Sequence, residues 1–261
     1  MAPAQAHDRA RHCGQPVKGS TGGERSEHAL LLSALRLLQL SDSALPIGSL
    51  AHSFGLETLV DRGLLGARDL PEFFQGYLEE AGALEAVFCR KAFRLARDAG
   101  EDFPVEQWVG LNRRLSALRP AREARAASIT LGQNFLARIV AVENVAIARR
   151  VLEASTSFAT SPEIHHSTGF GLVCGAMDFD EDSSIAAYLH QQIASLISAC
   201  QRLLPLGQTA AARILWDLKP SILRSAERGL HCDEGSAPCF TPLLDWGAME
   251  HPALSTRLFV S

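Results

Sequence analysis

The chain has 261 residues, of which 47% are hydrophobic and 21% charged, so it is long enough to bury a substantial core in one large domain. A formal net charge of -4 and a pI near 6.1 provide no basic field of the kind that general nucleic-acid binding requires. No stretch approaches the roughly 20 apolar residues that cross a bilayer, because Ser33, Arg36 and Gln39 interrupt the most leucine-rich segment.

Residues 1–26 are predicted to form a flexible tail outside the fold. They combine prolines, glycines and charges with almost no bulky apolar residue, which is also a poor match to a signal peptide. The cysteines are scattered without a CxxC pair, and several lie in apolar surroundings that are typical of reduced core thiols. This usage indicates a cytoplasmic protein; the cysteines are Cys13, Cys89, Cys174, Cys200, Cys232 and Cys239.

Two helical segments and their connector, between residues 31 and 63, carry the most unusual residue chemistry. Leucines at 31, 35 and 38 predict an amphipathic helix that ends near Leu40. Pro46 restricts the backbone before it and Gly48 allows a free φ, so the connector is predicted to be rigid and shaped. In the helix expected next, Ser49, Ser53 and Glu57 share one face, and Gly63 ends it in a left-handed conformation.

Apolar periodicity predicts helices along most of the remaining chain. One long helix or two short ones should run from Asp69 to about Ala99, with a bend at Gly76 or Gly82. The basic positions Arg119, Arg122 and Arg125 read as a solvated helix face with ion pairs to Glu123, or alternatively as a contact for an acidic partner. Further helices are predicted from the apolar repeats Trp108, Leu111 and Leu115, and Leu131, Phe135 and Ile139. Another follows from Ile185, Leu189 and Ile193, and Asp182 and Ser183 can cap it. A last one is predicted to place Ile214, Leu218, Ile222 and Leu223 inward, with a kink near Pro220.

The segment HHSTGFGLVCGAM contains adjacent histidines and spaced glycines. His165 and His166 would diverge by about 100° on a helix, which suits structural or interfacial histidines better than one metal site. Because glycines cost helix stability, Gly169, Gly171 and Gly175 are predicted to permit close packing at the centre of the fold.

The last stretch, residues 231–261, is predicted to be an irregular C-terminal tail for partner binding. Its apolar residues have no continuous helix to carry them, so the tail either packs on its own domain or orders on a partner. His231, Cys232 and Cys239 match no established zinc spacing. The apolar anchors are Phe240, Leu243, Trp246, Met249, Leu254 and Phe259.

No convincing series of alternating, β-branched runs occurs anywhere in the chain. The predicted fold is therefore all-α, a single compact domain of roughly eight to eleven helices over residues 27–230.

Five distinctive motifs occur in series over about residues 30–261: QLSDSALPIGSLAHSFGLETLV, REARAAS, HHSTGFGLV, LLPLGQT and DWGAMEHPALSTRLFVS. Together, and in this order, they resemble the urease accessory protein UreF family. The resemblance implies an all-α protein without a catalytic site of its own, and no residue is assigned to a cofactor or a metal. It further implies a homodimer that joins the accessory protein UreD/UreH, the nickel-carrying GTPase UreG and apo-urease, without nucleic acid or membrane.

The candidate partner-binding residues come from the family's ending and, near the start of the chain, from the connector and the helix expected after it. The chain departs from the family's usual ending at Pro252, Ser255 and Val260, where Glu, Tyr and Arg are common, and Arg257 is left as the last basic residue. The candidates are Pro46, Gly48, Ser53, Glu57, Met249, His251, Arg257, Leu258 and Phe259.

A helical enzyme is the alternative to an assembly factor. It would use His52, His165 or His166 with Ser53 or Glu57 as general base and nucleophile. Those groups would then have to converge in one water-shielded pocket.

Overall fold

Helices dominate the computed structural model, which describes residues 21–99, 102–157, 163–232 and 241–261. No strand occurs within these ranges, so the all-α prediction is confirmed. Short 3-10 helices cover Ser49–Ala51 and His251–Ala253, and a π-helical turn covers Leu78–Gly82. The α-helices are α1 (Thr21–Leu40), α2 (Leu56–Asp61), α3 (Leu70–Tyr77), α4 (Ala83–Asp98), α5 (Val105–Ala117), α6 (Arg122–Val142), α7 (Ala146–Ser157), α8 (His166–Ala176), α9 (Glu181–Leu203), α10 (Gln208–Asp217), α11 (Lys219–His231) and α12 (Pro242–Glu250).

Within the described residues the chain divides into two compact units, one up to residue 35 and one from residue 36 onward. Helices α2 to α12 all belong to the second unit, while α1 begins in the first and ends in the second. None of the described helices has the length and apolar composition needed to span a membrane. Three residues discussed above, Cys13, Cys239 and Phe240, lie outside the described ranges.

Helices α4 and α8 form the centre of the second unit. Every residue of α8 from His166 to Gly175 is buried, which explains why this helix has no polar face. A Cβ atom at Gly171 would overlap the carbonyl oxygen of Cys89, and one at Gly175 would overlap that of Phe93. The prediction of close packing is confirmed for Gly171 and Gly175, because the two backbones meet where side chains would separate them. It is not confirmed for Gly169, where a Cβ atom would find its nearest neighbour at an ordinary contact distance of 3.6 Å.

Helices α3 and α4 follow one another without a loop, through the π-helical turn. The hydroxyl of Ser225 donates a hydrogen bond to the Leu78 carbonyl oxygen at 2.6 Å. An inserted side-chain bond of this kind is a recognised cause of helix irregularity. The π-helical turn, which ends at Gly82, one of the two positions where a bend was predicted, thus has a specific partner on α11.

The arginine face predicted at the start of α6 is only partly solvated. The guanidinium of Arg119 forms an ion pair with Glu85, whose other carboxylate oxygen accepts a hydrogen bond from the Tyr188 hydroxyl at 3.1 Å. Burial lowers the pKa of Arg119, against the field of Tyr188. The ion pairs expected between this face and Glu123 are replaced by pairs to the C-terminal residues described below.

Three further expectations need correction. Leu223 is 55% exposed rather than inward, because the buried side of α11 is formed by its neighbours such as Ile222 and Ala226. The N-cap of α9 is Asp180, whose carboxylate accepts from the Ser183 amide, rather than Asp182. Helix α12 carries several of the anchors for which no helix was expected.

Candidate functional site

The C-terminal segment, residues 241–261, lies against the turn that precedes α2. The Val260 amide donates to the carbonyl oxygen of Ala51 at 2.9 Å. The backbone oxygen of Ser261 accepts from the amides of Ser53 and Phe54, at 2.5 and 3.2 Å, and from the Ser53 hydroxyl at 2.9 Å. Backbone groups that are distant in sequence therefore satisfy each other in a buried setting.

A break in the helix creates this turn. Ser49, Ser53 and Glu57 were predicted to share one helix face, but the chain leaves the 3-10 helix after Ala51 and α2 begins only at Leu56. Positive φ angles at Phe54 (51°) and Gly55 (92°) separate the two helices. The predicted continuous helix is wrong because such angles reverse the helical sense, leaving the Ser53 amide free to bind the C-terminal segment.

Glycines bring α12 onto this turn. A Cβ atom at Gly55 would lie 2.7 Å from the Ala248 amide nitrogen, and one at Gly247 would lie 2.7 Å from the Gly55 carbonyl oxygen. Real Cβ atoms do not tolerate such distances, so the two backbones pack directly. Gly55 is thus required both for its φ angle and for its lack of a side chain.

Glu57 is the centre of the site. Its Oε1 accepts a hydrogen bond from the Leu258 amide at 2.6 Å, and its Oε2 accepts from the Phe259 amide at 3.2 Å. Oε2 also lies 2.9 Å from Nε2 of His251. Burying a carboxylate is costly unless its oxygens are hydrogen-bonded, so these three donors make the 5% exposure of Glu57 tolerable.

The His251 ring is fully buried between two carboxylates. Its Nδ1 lies 2.8 Å from Glu123 of α6, opposite the bond from Nε2 to Glu57. Both ring nitrogens therefore face carboxylate oxygens, one from α2 and one from α6. The guanidinium of Arg257 stands 3.8 Å from the other oxygen of Glu123 and is 45% exposed.

Phe259 is held by a second cation. The guanidinium of Arg202, on α9, lies over the Phe259 ring at 4.1 Å from its centroid and also donates to the Leu50 carbonyl oxygen. The ring itself is 4% exposed. Arg202 therefore fastens the end of the C-terminal segment and the start of the turn to the same helix.

The candidate partner-binding residues separate into a buried and an exposed group. Ser53, Glu57, His251 and Phe259 are buried and contact one another through the segment. Leu258 (66% exposed), Met249 (51% exposed) and Arg257 point outward. Pro46 and Gly48 are also exposed, in a connector whose carbonyls at Pro46 and Ile47 accept from Arg138 and Asn134 of α6.

Sequence reasoning missed Glu123 and Arg202 as members of the site. Both belong to charged helical stretches whose simplest interpretation is a solvated face, and their partners lie far away along the chain. The motif REARAAS contains Glu123 and the motif LLPLGQT directly follows Arg202, but neither motif indicates the contacts that these two residues make.

The histidines of the enzyme alternative belong to separate networks. Nδ1 of His52 lies 2.8 Å from the Ser261 hydroxyl, so it belongs to the C-terminal contact. His165 instead lies between the hydroxyls of Ser116 and Ser128, at 2.7 and 3.0 Å. Burial lowers the pKa of His165 to about 2, with the field of Arg119 acting in the same direction.

His166 packs between aromatic rings. The centroids of Phe135 and Tyr188 lie 5.7 and 5.3 Å from its own, both edge-on. Burial lowers the pKa of His166 to about 4, so the ring is neutral at pH 7. Its surroundings suit a core residue, in line with the structural role predicted for the histidine pair.

Comparison with known proteins places the chain in a family. The family model described as UreF matches residues 65–219, more than half of the chain. The chain belongs to the UreF family. A urease accessory protein UreF from Thermosynechococcus vestitus is 30% identical over 230 residues, covering 87% of this chain and 97% of the relative.

Other UreF relatives match over the same extent. The protein of that name from Corynebacterium glutamicum is 30% identical over 226 residues, covering 86% of this chain and 96% of its own. The one from Nostoc is 29% identical over 229 residues, with 87% and 95% covered. The match to the UreF family model ends at residue 219, so it does not include the C-terminal segment.

Proposed function

We propose that this UreF family member is a non-catalytic adaptor in the maturation of urease by nickel insertion. In this role it joins UreD/UreH, the GTPase UreG and apo-urease in the cytoplasm, and it influences nucleotide hydrolysis only through UreG. The proposal rests on family membership and on the relatives' shared description as urease accessory proteins.

One observation supports a surface for this role: the C-terminal segment is docked on its own domain with part of its side chains turned out. Glu57 and His251 hold the segment from the inside, while Met249 and Leu258 remain about half or more exposed. Large apolar side chains on a rigid backbone are suited to partner recognition, since little entropy is lost when they bind. We assign direct partner contact to the exposed candidates and a supporting role to the buried ones.

The test is co-expression with UreD/UreH and UreG, followed by size-exclusion chromatography and mass measurement. Leu258→Lys should reduce complex formation while leaving the thermal melting curve unchanged, because the side chain is 66% exposed. Val142→Lys is the matched control, since Val142 is 73% exposed and lies on α6 about 28 Å along the helix from Glu123. A Leu258→Lys protein that assembles as well as the control would contradict the proposal.

The enzyme alternative has a separate test. Turnover of a small substrate by the purified chain, abolished by His52→Ala or His166→Ala, would support it. The His52 ring is hydrogen-bonded to the Ser261 hydroxyl, and the Ser53 hydroxyl donates to the Ser261 backbone oxygen. Because these two groups already have hydrogen-bond partners within the chain, the structure favours the adaptor over the enzyme.

A further inference from the structure

A small polar cavity adjoins the turn that binds the C-terminal segment. Its walls come from the 3-10 helix and the turn after it, and from α6, α8 and α9. The space open to the centre of a water-sized sphere is about 10 Å³, which is enough for one water molecule and too little for an organic ligand. The polar residues of the wall are Ser49, His52, His166, Gln191, Gln192 and Ser195.

Two buried polar atoms of residues on this wall have no hydrogen-bond partner within the described part of the chain. They are Nε2 of His166 and Oε1 of Gln191, in residues that are 4% and 1% exposed. Nearly all buried polar groups in proteins have a partner, because leaving one unpaired is costly. The other end of the Gln191 amide is already fixed, since its Nε2 donates to the Asp42 carbonyl oxygen at 3.2 Å. Oε1 is therefore left as an acceptor in need of a donor.

We propose that this cavity binds a single water molecule, which joins His166 of α8 to Gln191 of α9. The water donates to Oε1 of Gln191. It can pair with Nε2 of His166 in either tautomer of the ring, because water both donates and accepts. The hydroxyl of Ser195, on the same wall, offers a third partner. The molecule thus has the two to four polar neighbours that a buried water needs.

The chemistry of the wall selects water over an ion. No carboxylate or thiol is among the described residues that line the cavity, so a cation would have no negative charge to balance it. The two histidines alone fall short of the ligands of a zinc site. An anion would face Oε1 of Gln191, which can only accept, and burial lowers the pKa of His166 to about 4, so that ring carries no positive charge at pH 7.

The water would lie close to the contact that holds the C-terminal segment. His52 lines the cavity, and its Nδ1 lies 2.8 Å from the Ser261 hydroxyl. A molecule bonded to α8 and α9 therefore supports the wall on which this turn rests. The inference does not depend on the adaptor role, so its failure would leave the proposed function unaffected.

Oxygen-17 magnetic relaxation dispersion on the purified full chain tests the inference, because it counts long-lived internal waters. Ser195→Val replaces a hydroxyl of the wall by two methyl groups and should lower the count by one. Ser198→Val makes the same change at another half-buried position of α9, outside the cavity, and should leave the count at the wild-type value. The same count in wild type and both variants overturns the inference.

A crystal structure of the wild-type chain gives the position of the water. A density peak should lie within about 3.2 Å of both Nε2 of His166 and Oε1 of Gln191. The lack of such a peak overturns the inference, and so does a metal ion at the position, identified by its anomalous scattering.

Unfolding measurements test whether the two residues share one partner. His166→Phe and Gln191→Leu each leave the water with one protein partner fewer and the opposite residue less well paired. The double variant should therefore lower the folding equilibrium constant by roughly threefold less than the product of the two single effects. A double variant that equals that product contradicts a shared water.

Discussion

Nε2 of His251 lies 2.9 Å from Oε2 of Glu57, although the two residues are 194 positions apart in the sequence. This bond joins the C-terminal segment to the start of α2 in a fully buried setting. The other ring nitrogen reaches Glu123, so one histidine connects three parts of the unit.

Replacing Glu57 by Gln should loosen the C-terminal segment. The Gln side chain keeps the shape of Glu, but its amide nitrogen is a donor where Glu57 has an accepting oxygen. That nitrogen would face groups that themselves donate, which should lower the free energy of unfolding by about 1–3 kcal/mol. Hydrogen exchange of the Leu258 and Phe259 amides should become faster, and the unfolding free energy should fall. Glu106→Gln, an exposed change on α5, is the control and should alter neither quantity.

Replacing Arg257 by Ala should reduce the retention of UreG in the co-expressed complex. Stability should change by no more than about 0.5 kcal/mol, since the guanidinium is 45% exposed and 3.8 Å from its acidic partner. Arg122→Ala, on the exposed face of α6, controls for the loss of one positive charge. Co-elution of UreG with the Arg257→Ala complex at the wild-type ratio would refute this prediction.

Two glycine-to-alanine changes should have opposite effects. Gly171→Ala forces a methyl group into the Cys89 carbonyl oxygen and should cost about 1–3 kcal/mol or more. Gly110→Ala, on α5, meets nothing within 4 Å and should stabilise the helix by about 0.5–1 kcal/mol. Urea unfolding of the two variants and of wild type measures the sign of each change in unfolding free energy. Equal changes in the two variants would contradict the close packing of α4 and α8.

Acid sensitivity should fall when His166 is replaced by Phe. Burial lowers the folded pKa to about 4, below the ordinary value of 6.5, so the unfolded chain takes up the proton first. Below about pH 6.5 this group therefore removes up to about 1.4 kcal/mol of stability per pH unit, until the folded state is protonated near pH 4.

The measurement is the unfolding free energy at pH 7 and pH 5 for wild type, His166→Phe and the exposed control His231→Gln. His166→Phe keeps an aromatic ring between Phe135 and Tyr188 but cannot bind a proton. The loss of stability from pH 7 to pH 5 should be smaller in His166→Phe than in the control. An equal loss in both would assign the acid sensitivity to other groups.

Local features of the fold were readable from the sequence. Periodic leucines and aromatics located the principal helices, and the glycines at 48 and 63 adopt the positive φ angles, 93° and 68°, that their positions suggested. Gly171 and Gly175 of α8 lie where this helix packs backbone to backbone on α4, as expected because glycine otherwise lowers helix stability. These features depend on neighbours within a few residues, which the sequence displays directly.

Contacts between distant residues were not readable. Nothing near Glu57 indicates that its ligands are amides some 200 positions later, and the positive φ of Phe54 breaks a helix that spacing alone favoured. Leu223 was assigned inward together with Ile222, yet the core side of α11 is formed by Ile222, Ser225 and Ala226, and Leu223 lies beyond the edge of that face. Tertiary packing decides which distant groups pair, where a helix breaks and which helical residues face the core.

The long separation between Glu57 and His251 has a consequence during synthesis. At about 5–20 residues per second, a ribosome needs roughly 10–40 s to advance from the first residue to the second. Throughout that interval the Glu57 carboxylate lacks the His251 ring and the Leu258 and Phe259 amides that bind it in the folded chain. This buried network can therefore be completed only after residue 259 has been synthesised.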